Sequence, residues 1–191
     1  MVRVKKRWNQ PTAPRTPAQM ANAIGATIWK LAAAVLLNLE NENFETETQA
    51  QRIDIMEEVV SYLVHVCDRW IYNRTDQEQR AEFISILVKD LGRMLEDSRV
   101  DVQGAGEYQA EFFDKLNQRT GDYAVYSYSH DEGGGSFALR CRFGDRVQAA
   151  MGKRDRRWIP DFIVAREAPE IETALRRSLT GLVTFDKPDY W

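Results

Sequence analysis

The sequence predicts a mostly α fold, an irregular antiparallel bundle of five or six helices. Three observations predict it. Apolar residues recur at helical spacing along most of the chain. Helix-start signals stand in front of those runs, and the connections between them are short and polar. The expected organisation is a basic, proline-containing arm over 1–15, one helical domain over 16–184 and an aromatic tail over 185–191.

Residues 1–15 mix Arg3, Lys5, Lys6, Arg7 and Arg15 with Pro11 and Pro14 and show no period, as an extended arm would. Thr16-Pro17-Ala18-Gln19 then opens a helix: Thr16 can cap, Pro17 suits the first helical position and Gln19 closes a capping box. That helix is expected to reach about Leu39, with Met20, Ile24, Ile28, Leu31 and Val35 inward. Its small residues Ala23, Gly25, Ala32 and Ala34 permit close approach of a neighbour.

Asn38 to Glu45 is a polar turn, and Thr46 or Thr48 can cap the segment that follows. That segment, Ala50 to Arg74, is the most strongly patterned of the chain and is expected to be the central helix. At about 100° per residue, Met56, Val59, Val60, Leu63, Val66, Cys67, Trp70 and Ile71 share one apolar face. Glu58, Tyr62, His65 and Arg69 form a ridge on the other side, expected to be a solvated or intersubunit polar face.

Thr75-Asp76-Gln77-Glu78 reads as a second capping box, starting a helix to about Asp97 with Ile84, Leu87, Val88, Leu91, Met94 and Leu95 toward the core. Gly104 and Gly106 break the pattern, and Tyr108, Phe112, Phe113 and Leu116 mark a fourth helix from about Glu107. Beyond Gly121 two readings compete. Residues 123–129 and 137–143 alternate as two strands of a hairpin would, with Asp131 to Gly135 turning between them. A lone hairpin is marginal in water, so the helical version is preferred: Tyr123 and Tyr126 continue helix four and Ser136 opens helix five. Trp158 to Val164 is a short connection or single turn interrupted by Pro160, and Ala168-Pro169-Glu170 opens a last helix stopped at Gly181.

With 43% hydrophobic residues in 191, the chain can bury a core. Cys67 and Cys141 could form one bridge at most, and Cys67 falls on an apolar helix face, so a reducing, cytoplasmic compartment is expected. The run Ile24 to Leu39 is interrupted by Lys30 and shorter than the roughly 20 residues of a bilayer span, which argues against a transmembrane segment. The long, proline-bearing stretch before it is unlike a secretory leader; a transit-type segment is the weaker alternative.

Net charge is −3, but its distribution is uneven. No acid precedes Glu40, and seven acids then face Arg52 alone as far as Glu58. Arg140, Arg142, Arg146, Lys153, Arg154, Arg156 and Arg157 face only Asp145 and Asp155, beside Trp158; this is the candidate surface for an anionic or acidic partner.

Specific catalytic signatures do not emerge. His65 lacks the Glu-x-x-His spacing of di-iron bundles and any His-Glu-x-x-His pattern, so neither metal nor cofactor is expected. His130 sits beside Asp131 in a glycine-rich loop. Glu132 to Ser136 lacks the lysine and spacing of a phosphate-binding loop and reads as a flexible turn. Cys141, between Arg140 and Arg142, is the one candidate for a reactive thiol.

The leading expectation is a non-catalytic interaction or regulatory protein that meets a protein partner, or a second copy of itself, through charge-segregated faces. A nucleic-acid-associated protein using 140–157 and the arm is the alternative. A third reading is an enzyme or ligand-binding bundle with a site near His65, which depends on whether the Glu58 to Arg69 ridge meets water, an interface or a pocket.

Overall fold

The computed structural model describes residues 15–129, 134–152 and 157–184. The expectations placed on the arm before Arg15, on His130 to Gly133, on Lys153, Arg154 and Arg156, and on the aromatic tail lie outside them. The elements are α1 (Pro17–Asn41), α2 (Gln49–Ile71), α3 (Gln77–Gln103), α4 (Tyr108–Ala124), β1 (Tyr128–Ser129), β2 (Gly134–Gly135), α5 (Phe137–Ala150), α6 (Ile159–Phe162), a π turn (Ile163–Glu167) and α7 (Ala168–Leu182). The fold is the expected helical bundle, with six helices when the continuous run from α6 to α7 is counted once.

Local chemistry sets most boundaries. Thr16 accepts from the Gln19 backbone N–H while the Gln19 side chain accepts from the Thr16 N–H, so the capping box is complete. Thr48 caps α2, whereas Thr46 donates to Glu40. The cap of α3 is Asp76, one residue later than a box starting at Thr75: its carboxylate accepts from the Gln79 N–H. A charged acceptor at the positive end of the helix is favoured over a hydroxyl. α3 also runs past Asp97, to Gly104, whose φ of 83° lets the chain turn where a side chain would be strained.

In the ambiguous region the helical reading holds for most residues. Ser136 caps α5, and Phe137 to Phe143 is helical. Tyr123 lies in α4, but Tyr126 is beyond its end, and the hairpin shrinks to two pairs, Tyr128 with Gly135 and Ser129 with Gly134. So short a ladder survives because it rests on α5 and α7.

α7 begins at Ala168 as expected, with Pro169 in its first turn, but no loop precedes it. The Ala168 N–H bonds the Ile163 carbonyl five residues back, a π turn, and the helix continues from α6 into α7. Pro169 has no N–H for the regular ladder, and the wider turn just before it absorbs the loss. The helix passes Gly181 and ends at Leu182, where the Arg15 guanidinium bonds the carbonyls of Gly181 and Leu182 at 3.1 and 2.9 Å. A cation at a helix C-terminus opposes the macrodipole, so the last residue of the expected arm belongs to the folded body.

α2 is the central helix, packed against α1, α3, α4, α5 and α7. Every residue from Glu57 to Cys67 is buried. α1 is long and apolar enough to cross a membrane by length and composition; here it packs on α2, α3 and α7, with Ile24, Ile28, Ala32, Val35 and Leu39 fully buried. Gly25 lets α3 approach: a Cβ there would meet the Asp90 carboxylate at 3.1 Å and Leu87 at 3.5 Å.

Candidate functional site

The polar ridge of α2 is where structure and sequence expectation part. Glu58, Tyr62 and His65 are buried and Arg69 is half-buried, so the ridge is neither solvated nor an outer face. It is covered because the elements laid on it carry complementary groups. Arg119 of α4 clasps Glu58 with two bonds of 2.7 Å, and Lys115 bridges Glu58 and the neighbouring Glu57. Arg99 of α3 completes this layer on Glu57 and Asp54. Ions are buried in a protein only when paired in this way.

One turn further along α2, Tyr62 donates its hydroxyl to Glu172 of α7. Glu172 is 2% exposed. It also accepts from the Gly135 N–H at 3.2 Å and from both arms of Arg140, at 3.2 and 2.8 Å. The Tyr62 ring stacks on Phe143 at 4.1 Å and meets the Tyr123 ring edge-on. Burial, with the Glu172 charge behind it, pushes the Tyr62 phenol well above its ordinary range, so it stays a donor. The glycine stretch does turn a backbone N–H toward an anion, but the anion is this internal carboxylate. A side chain at Gly134 would overlap Glu172, so the close approach requires glycine there.

His65 is treated differently. It is 3% exposed, and neither ring nitrogen has a hydrogen-bond partner among the described residues. Burial first, then the nearby Arg69 charge, lowers its pKa to about 4, against a smaller opposing effect of Asp68. The ring is therefore neutral at pH 7, with one nitrogen able to donate and the other to accept. Ser61, one turn before it, and Tyr123, whose ring lies 5.5 Å from the imidazole, also carry buried oxygens without a partner among the described residues.

His65 stands in the wall of a groove enclosing about 420 Å³ between α2, α3 and α4. Val64, Ile84, Val88, Phe113 and Leu116 make its apolar lining, and Asp68, Ser85, Lys89, Asn117 and Thr120 bring polar groups to it. Ile84 and Val88, expected to face the core, are half-buried here. The volume lies within the roughly 300–1,000 Å³ of small-molecule sites, and a mainly apolar lining with a few polar groups is their usual composition.

Three of the four described cations of the basic stretch are engaged within the chain. Arg140 is held by Glu172, while Arg142 and Arg146 both bond Asp122 of α4. Arg157 and Trp158 are exposed, with the guanidinium 5.6 Å from the indole centroid. Cys67 is fully buried, and burial pushes its thiol up. Cys141 is half-buried between arginines already engaged with carboxylates. Among the described residues no three His, Cys, Asp or Glu side chains converge as a metal-holding group.

Sequence reasoning singled out His65 but missed the rest of the groove and missed Glu172. A signal for Glu172 was present, since it falls in the α7 stripe of Ile171, Leu175 and Leu179, and an acid on an apolar stripe requires a partner. No such signal marks Ser85, Lys89, Asn117 or Thr120, which are exposed polar residues like many others. No family model matches the chain, and no curated protein and no solved structure is similar to it.

Proposed function

We propose that this chain is a non-catalytic binding domain and that the groove between α2, α3 and α4 takes a small, largely apolar molecule. The observation that carries the reading is the groove itself, about 420 Å³ with an apolar wall of Val64, Ile84, Val88, Phe113 and Leu116 and a few polar side chains beside it.

Interaction through charge-segregated faces has less support. Glu40, Asp54, Glu57 and Glu58 of the acidic region pair with Arg52, Arg99, Lys115 and Arg119, and Arg140, Arg142 and Arg146 of the basic stretch pair with Glu172 and Asp122. The same engagement leaves a nucleic-acid surface fewer cations to draw on.

The test uses a neutral fluorescent probe, N-phenyl-1-naphthylamine. Saturable binding near one equivalent is expected, together with its loss in Val88→Trp, where an indole fills the groove from a half-buried wall position. Circular dichroism confirms that the variant is folded. A folded Val88→Trp protein that binds the probe as tightly as the wild type, or a wild type with no saturable binding, overturns the reading.

A further inference from the structure

The polar groups around the groove are not electrically balanced, and the imbalance says what kind of molecule suits it. Asp68 is the one acid among the lining residues, and its carboxylate is already clasped by Arg80, at 2.7 Å from Nε and 2.5 Å from Nη2. Lys89 is the one lysine or arginine among them; it is exposed and forms no ion pair among the described residues.

Its neighbours on the same face of α3 explain why. Ser85, Ile86, Gly92 and Arg93 stand three and four residues away, and none of them is a carboxylate. Ser85, one turn before Lys89 on α3, and Asn117 and Thr120 on α4 each bring a group able to donate a hydrogen bond, with no side-chain hydrogen bond of their own among the described residues. The groove thus presents an apolar wall, an uncompensated ammonium and three uncommitted donor groups. A neutral oil satisfies only the wall. A dianion exceeds the single positive charge.

We infer that the natural ligand is an amphiphilic monoanion, a medium-sized carboxylic acid whose apolar body lies on Val64, Ile84, Val88, Phe113 and Leu116 and whose carboxylate is met by Lys89 with Ser85, Asn117 or Thr120. This rests on the groove being a binding site. Because Lys89 is exposed, the ion pair contributes modestly and weakens with salt, so selectivity for the acid over a neutral analogue is expected to be several-fold rather than absolute.

The experiment is competition by decanoate and by decanol, each below its solubility and micelle limits, against N-phenyl-1-naphthylamine at pH 7.5. Decanoate is expected to displace the probe about 2- to 5-fold more tightly than decanol at low salt, the margin of one exposed charged contact. Lys89→Gln is expected to erase that preference and leave the decanol affinity within about twofold, the size of a change that touches no apolar contact. Equal binding of acid and alcohol, or a preference that persists in Lys89→Gln, overturns the inference while the groove stands as a binding site. If the probe and both competitors fail to bind, the groove itself is not a site and both readings fall. Cosedimentation with phosphatidylglycerol vesicles, without displacement of the probe by soluble decanoate, overturns the inference in favour of a bilayer headgroup.

Discussion

Replacing Glu172 by glutamine removes a charge from the best-connected buried group of the fold while keeping its shape. The carboxylate serves four donors: the Tyr62 hydroxyl, the Gly135 N–H and two nitrogens of Arg140. A glutamine amide offers one oxygen and directs an NH2 at groups that are themselves donors. Hydrogen bonds to a charged group contribute about 1.5–3 kcal/mol each, and stripping one partner from a fully buried ion pair costs about 3–5 kcal/mol. The Arg140 side chain is 26% exposed, so water can solvate part of its orphaned charge and the upper value does not apply. A loss of about 2–4 kcal/mol follows, equivalent to a Tm lower by roughly 5–15 °C for a domain of this size. Urea unfolding followed by far-ultraviolet circular dichroism measures it, with an unchanged m-value showing that the comparison is sound. Tyr62→Phe deletes one of the four bonds and should cost about 1–2 kcal/mol, with the double variant less destabilised than the sum. A Glu172→Gln protein within about 0.5 kcal/mol of the wild type, a typical surface effect, would refute the view that this carboxylate holds α2, α5, α7 and β2 together. None of the lining groups of the groove comes from α5 or α7, so probe binding should be unaffected.

His65 sets a pH dependence of defined sign. Its pKa is depressed from an ordinary 6.5 to about 4 in the folded chain, so the unfolded state binds the extra proton between those values. Its contribution is complete above about pH 6.5 and is lost as pH falls toward 4; between pH 7 and pH 5 the wild type should lose about 2 kcal/mol more than His65→Gln, with an equal loss in both proteins refuting the assignment. Two glycine substitutions inside helices should have opposite signs. Gly144→Ala places a methyl 3.1 Å from the Pro160 Cα and 3.3 Å from its carbonyl, backbone atoms that cannot rotate away, and should cost about 1–3 kcal/mol. Gly121→Ala meets nothing within 4 Å and should stabilise by about 0.5–1 kcal/mol through helix propensity, and chemical denaturation of the two variants compares them directly.

Much of the fold was legible because its signals are local. The Thr16 capping box, the Thr48 cap, the Ser136 start and the apolar spacing of α1 to α4 each depend on residues within a turn or two, and there short-range geometry decides. The errors have local causes too: Asp76 displaced Thr75 as a cap because a carboxylate is the better acceptor at a helix start. Pro169 does stand in the first turn of α7, where proline is suited, but the π turn before it joins α7 to α6, and no local signal marks that junction.

The sequence by itself determined that Glu58, Tyr62, His65 and Arg69 share one side of α2, since a spacing of four, three and four residues permits nothing else on a helix. Only the tertiary structure decided what covers that side. Glu58 meets Arg119, 61 residues away, and Tyr62 meets Glu172, 110 residues away, while His65 meets no hydrogen-bond partner among the described residues and stands beside a groove. A helical period fixes the direction in which a side chain points. Whether the space in that direction holds water, a guanidinium or a pocket depends on how distant helices pack, and that is set by the summed burial of the whole core.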